Sequence, residues 1–107
     1  MAGPSVAHHS FVTKYDGQRV VTLKGTIGAV SFTNPHIFFF ISTANGTWRV
    51  ETESIPKVAG KGLTEALLQD GAEATVTGWP ARDGSAEVGL KSITIKGRTI
   101  TIRTTAR

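Results

Sequence analysis

The sequence predicts an all-β fold: a five- to six-stranded Greek-key barrel with one short helix between strands three and four. Three observations carry that expectation. Threonine and β-branched residues are plentiful, turn signals recur every ~10 residues, and glycines interrupt the longest strand pattern.

The first strand is expected from Val20 to Phe32. Val21, Leu23, Gly25, Ile27 and Ala29 alternate on one face, and Val30 and Phe32 continue in the opposite phase. That change of phase predicts a bulge near Gly28, and such a bend lets a strand curl to close a small barrel. "TNP" at 33–35 ends the strand, because Pro35 cannot donate to a ladder. "HIFFFIST" does not alternate and reads as a central strand covered on both faces, with Phe38 and Phe40 on one side and Phe39 on the other. Asn45-Gly46 is the preferred pair for a two-residue hairpin turn. In "TWRVETE", Trp48, Val50 and Thr52 then point one way, and Arg49, Glu51 and Glu53 the other.

Residues 54–62 read as a loop. "LTEALLQDG" is expected to be the short helix, ending at Gly71 with Leu63, Leu67 and Leu68 inward. "AEATVTGW" is a fourth strand, "RDG" at 82–84 a turn, "AEVGLKSITI" a fifth strand, and "RTITIR" a last one after a Lys96-Gly97 turn. A meander of three strands, a helix and two further strands is the order of the OB-fold. The alternative is a six-stranded sandwich or split barrel without closure.

The chain of 107 residues fits one domain. Residues 1–7 read as a signal-peptide remnant or an added extension, and 8–107 as a single OB-like β-barrel domain. Ser5 and Ala7 have the spacing a signal peptidase prefers, which places cleavage before His8 and predicts a periplasmic or secreted protein. No apolar run approaches a membrane span. Cysteine is absent, which excludes disulfides, thiolate nucleophiles and cysteine-based zinc sites. The formal net charge is +4, and no acid follows residue 90, where Lys91, Lys96, Arg98, Arg103 and Arg107 lie. A basic strand of this kind is a solvated face or an attractor of phosphate or anionic lipid.

The histidines are the first candidates for chemistry. His8 and His9 are adjacent, and His36 sits in the turn-like "TNPH". Imidazole is a common ligand for copper, nickel and zinc. Cleavage before His8 leaves an α-amine and an imidazole able to chelate one ion, with His9 or His36 adding a nitrogen. Cleavage leaving Ala7 first makes His9 the third residue, which suits a square-planar Cu(II) or Ni(II) site. The competing reading is structural: two histidines on an amino-terminal arm, and His36 with Asn34 bonding to the backbone of a turn.

Other classes fare less well. Single-strand nucleic acid or an oligosaccharide would use the face of strands two and three. The positive charge lies mostly on the last hairpin instead, and Glu51 and Glu53 are expected outward. Ser10 beside His9 points away from it, so no proton relay is expected, and there is no phosphate-binding glycine loop. The expectation is a binding module and not an enzyme. The last hairpin, with Ile93, Ile95, Ile100 and Ile102, is long for so small a barrel. It is expected to extend beyond it, as an edge for a peptide or for a homodimer.

"AHHSF", "YD", "VTLKGTI", "TNPH", "WRVE" and "VTGWPARDGS", in that order over nearly the whole chain, resemble an uncharacterised bacterial family of small exported proteins. The resemblance implies export and a cleavage site before His8. It also implies recurrent polar positions at His8, His9, Ser10, Tyr15, Asp16, Asn34, His36, Trp48 and Glu51. The chain departs from the family in "IFFF" after the turn histidine, which is bulkier than usual. The general shape is also similar to exported bacterial OB-fold proteins of stress-response type, by fold alone. Together these readings give a metal site, copper foremost, of His8, His9 and His36. Tyr15, Asp16, Asn34, Trp48 and Glu51 are the ligand-binding candidates, with Asp16 or Glu51 as oxygen donors.

Overall fold

The computed structural model describes residues 10–106. Residues 10–14 form a helical turn, α1. There follow β1 (Val21–Ser31), β2 (Phe38–Thr43), β3 (Gly46–Glu51), α2 (Ile55–Gly60), β4 (Glu73–Pro80), β5 (Glu87–Ile95) and β6 (Arg98–Thr101). The sheet order is β3-β2-β1-β4-β5-β6, and a parallel β3–β5 pairing closes the first five strands into a barrel. This is the OB-like architecture with β6 as an additional strand.

Closure depends on how β1 bends. Its first half, Val21 to Thr26, pairs with β4, and its second half, from Gly25, pairs with β2. At Gly25, where the two pairings overlap, a Cβ would collide with the Ser42 carbonyl, with the carbonyl carbon only 2.7 Å away. The register shifts between Gly28 and Ser31, as the change of phase predicts, and the left-handed residue there is Ala29, at φ 48°. The Asp70 carboxylate accepts the Val30 N–H at 3.2 Å and so stitches the bulge to the 61–72 segment.

The helix lies one segment earlier than expected. Residues 55–60 are helical, with Pro56 in the first turn and Val58 fully buried. "LTEALLQDG" makes one helical turn, Leu68 N–H to Thr64 O at 3.0 Å, and then leaves the helix. Its backbone is drawn to β1: Gly71 donates to Ile27 O at 2.7 Å, and Ile27 donates to Ala72 O at 2.8 Å. A short helix gains little per residue against the cost of nucleation, so tertiary bonding wins. The expected packing holds, since Leu63 and Leu68 are buried and Leu67 lies against the core.

Three further expectations are corrected. The β2–β3 register pairs Thr43 with Gly46, so the two turn residues are Ala44 and Asn45, and Gly46 follows at φ 128°. Thr43 Oγ1 holds that turn by accepting the Asn45 N–H at 3.1 Å. β2 is not covered on both faces: Phe39 and Ile41 fill the barrel, whereas Phe40 is 37% exposed on the outer face. The last hairpin does not stand away from the barrel with its isoleucines free. Ile93, Ile95, Ile100 and Ile102 all enter the main core. Its turn is as expected, with Lys96 at φ 51° and Gly97 at φ 76°.

A second, smaller cluster lies outside the barrel: Phe11, Tyr15, Trp79, Ala81 and Ala106. It carries α1 down onto the β4–β5 end. Tyr15 bridges to Ala81, Asp16 N–H bonds Pro80 O at 2.9 Å, and Arg82 N–H bonds Lys14 O at 2.9 Å. Gly89 makes room for this cluster, since a Cβ there would overlap the Phe11 ring.

Candidate functional site

Glu51 ends β3 on a face that is not open to solvent, because α1 covers it. Its side chain is 14% exposed. Oε1 accepts the Tyr15 hydroxyl at 2.6 Å, with Lys14 Nζ 4.0 Å away. Oε2 lies 3.3 Å from His36 Nδ1. Burial, followed by the hydrogen bond and charge of Glu51, pushes the Tyr15 hydroxyl well above the usual tyrosine range. Tyr15 is therefore a fixed neutral donor to a carboxylate.

His36 sits in the bend before β2. Its Nδ1 is also 3.1 Å from the Thr52 carbonyl. A carbonyl and a carboxylate only accept, so Nδ1 carries a proton, and in the neutral ring the lone pair falls on Nε2. The side chain is 22% exposed. A ring nitrogen anchored on carboxylate and carbonyl while the other stays basic is the support that metal-ligating histidines commonly have.

A second carboxylate adjoins the first. Glu87 Oε1 meets Lys14 Nζ at 2.8 Å and Arg49 Nη1 at 3.3 Å, and Glu87 Oε2 accepts the Ser85 hydroxyl at 3.2 Å. The hydrogen bond from Lys14 leads in holding the Glu87 carboxyl below its ordinary value. Lys14 thus lies between both acids. The Arg49 guanidinium also stacks 3.9 Å over Phe38.

Of the residues picked from sequence, Tyr15, His36 and Glu51 meet at this rim. Asn34 turns to structure: its Oδ1 accepts the Ile55 N–H at 2.8 Å and ties the bend to the start of α2. Asp16 caps its own turn through Gln18 N–H at 3.0 Å and lines a cleft on the far side of Tyr15. Trp48 is half-buried against the main core. His8 and His9 lie outside the described residues. Among the described residues no group of three or more His, Cys, Asp or Glu is gathered tightly enough to hold a metal ion. Sequence reasoning missed Lys14, Glu87 and the service of Arg49. The pairing of Arg49 with Glu87 comes from the parallel β3–β5 closure, which leaves no local signal.

A closed five-stranded barrel of OB type, with a carboxylate–tyrosine–histidine rim beneath a helical turn, defines the class. The chain belongs to the family of unknown function DUF6152, whose model matches residues 1–98. A search of curated proteins finds no match. Among solved structures, the chain is similar to a deletion mutant of TiaS in complex with agmatine, at 20% identity and TM-score 0.61. The similarity covers 86% of this chain and 28% of that one. It is also similar to TiaS in a complex with a transfer RNA and ATP, at 22% identity and TM-score 0.56, over 76% of this chain and 19% of that one. The chain therefore spans less than a third of those proteins, and at such identity the likeness is one of fold.

Proposed function

We propose that this protein is an exported binding module, not an enzyme, that holds a divalent transition metal, copper(II) foremost, through His36 with His8 and His9. One observation supports the reading above others. His36 Nδ1 is tied to Thr52 O at 3.1 Å and lies 3.3 Å from Glu51, which leaves Nε2 as the free donor. The segment that follows the paired histidines is fixed to that same carboxylate through Tyr15. Glu51 then orients His36 and is not itself a ligand. Asp16, bonded within its turn, contributes no oxygen to this site.

The test is a Cu(II) titration of the form beginning at His8, beside the full chain and a His36→Ala variant. Tighter binding by the His8 form, reduced in His36→Ala, supports the shared site. Equal affinity with and without the His36 imidazole, or no binding at all, removes it.

A second reading has one observation in its favour. Phe40 is exposed on the outer face of β2, opposite Gly28 of β1, and Phe38 on the same face is capped by Arg49. Aromatic rings on this face of an OB barrel stack on unpaired bases. Affinity for oligothymidylate that falls steeply with salt and is lost in Phe40→Ala would favour that reading. Absence of both would reject it.

A further inference from the structure

A cleft of about 760 Å³ lies on the far side of Tyr15 from Glu51, between the 12–20 segment, the end of β4 and the 104–106 segment. Its volume is in the range of small-molecule sites. Among the described residues two cations line it, Arg82 and Lys91. What sets them apart is their shared place on one cleft wall, not the lack of an ion pair, which other surface cations share. Lys14, Arg49, Lys57 and Arg103 each have a carboxylate within 4.0 Å. Among the described residues, neither Arg82 nor Lys91 forms such a pair, and Arg82 has only a long bond from Nη2 to Val12 O at 3.4 Å.

Both cations are held from the backbone. Arg82 N–H bonds Lys14 O at 2.9 Å, and the Lys91 carbonyl accepts Ile102 N–H at 2.8 Å and Arg103 N–H at 3.1 Å. Lys91 Nζ lies 6.0 Å from the centroid of the Trp79 ring, whose residue forms part of the wall. Among the described lining residues Asp16 is the sole carboxylate, and it is engaged by the Gln18 N–H. Val20, 50% exposed, supplies an apolar lip. Among the described residues the lining thus carries excess positive charge beside an aliphatic wall of Val12 and Val20, which repels a metal cation and suits a small anion with an apolar body.

We infer that this cleft binds a small organic anion, its carboxylate or phosphate held by Lys91 and Arg82 and its apolar body against Val12 and Val20. The site is separate from the histidine rim and is filled by a different class of ligand.

The experiment compares benzoate with neutral benzamide at constant ionic strength. Trp79 fluorescence is read in a Trp48→Phe background, and the Gly17 and Gln18 amide shifts are read in the unaltered protein. Benzoate is expected to give a saturating change in both readouts, and benzamide none over the same range. Lys91→Gln and Arg82→Gln are each expected to weaken benzoate roughly tenfold, with melting temperature as the control for folding. Equal response to the two probes, no saturable shift in the unaltered protein, or undiminished binding by the folded double variant would overturn the inference.

Discussion

The Tyr15 hydroxyl donates to Glu51 Oε1 at 2.6 Å across 36 positions of sequence. It joins the segment after the amino-terminal histidines to the end of β3, and through Glu51 to His36. Tyr15 is fully buried, so Tyr15→Phe removes the hydroxyl and leaves the ring packing in place. The carboxylate is then short of one donor. A hydrogen bond to a charged group contributes about 1.5–3 kcal/mol, and a loss of that size is expected. In a urea titration the midpoint should fall with the slope unchanged. A midpoint within error of the parent would mean that Glu51 is satisfied without Tyr15.

The same pair contributes to the loss of stability at high pH. A tyrosine in the unfolded chain ionises near pH ~10. In the fold, burial and then Glu51 favour the protonated phenol, so the folded protein keeps that proton to higher pH. The stabilisation is complete below about pH 10 and declines as pH rises beyond it, because the unfolded state gains by ionising first. Tyr15 is the single tyrosine of the chain, so phenolate absorbance reports it alone. The absorbance should appear only with unfolding, and Tyr15→Phe should flatten the decline in stability at high pH.

Gly89 holds the space for α1. A Cβ there would lie 2.8 Å from Phe11 Cε2 and 3.0 Å from Tyr15 Cδ2, and would overlap Phe11 Cζ. Gly89→Ala must therefore lift the two rings from β5. A cost of about 1–3 kcal/mol is expected, as for other overpacked sites. Because Tyr15 moves with Phe11, His36 should also respond: its imidazole resonances should shift in Gly89→Ala although it contacts neither ring. An unmoved His36 would show that the rim is set by β3 alone.

Much of this fold is legible in the chain, and the failures share a cause. The phase change in "VTLKGTIGAVSF" predicts the bulge, and Lys96-Gly97 predicts its turn, because both signals are local. The helix is misplaced because "LTEALLQDG" has helical spacing, yet Ile27 of β1 takes its backbone bonds at Gly71 and Ala72. Glu51 alternates outward as expected but is covered by α1, which strand periodicity cannot foresee. At the site, Tyr15, His36 and Glu51 are recognisable as recurrent polar positions of the resembling family. Lys14 and Glu87 are not, since a parallel closure and a docked helical turn bring them together. The isoleucines of the last hairpin read as a free apolar row only until the barrel core is seen to contain them.

That hairpin offers a prediction with a built-in control. Lys96 and Gly97 both have positive φ, 51° and 76°, the geometry of a type I′ turn. A side chain at such φ costs about 1–2 kcal/mol, and asparagine tolerates it best. Lys96→Asn is therefore expected to stabilise the protein by about 0.5–1 kcal/mol, since it relieves part of that cost. Gly97→Ala is expected to destabilise it by about 1–2 kcal/mol for the opposite reason. The effect should register in global unfolding and not as local fraying, because Ile100 of β6 is buried in the same core as Ile93 of β5. Chemical denaturation read by tryptophan fluorescence, remote from the turn, distinguishes the two. If both substitutions leave that transition unmoved, β6 unfolds independently and adds nothing to the stability of the barrel core.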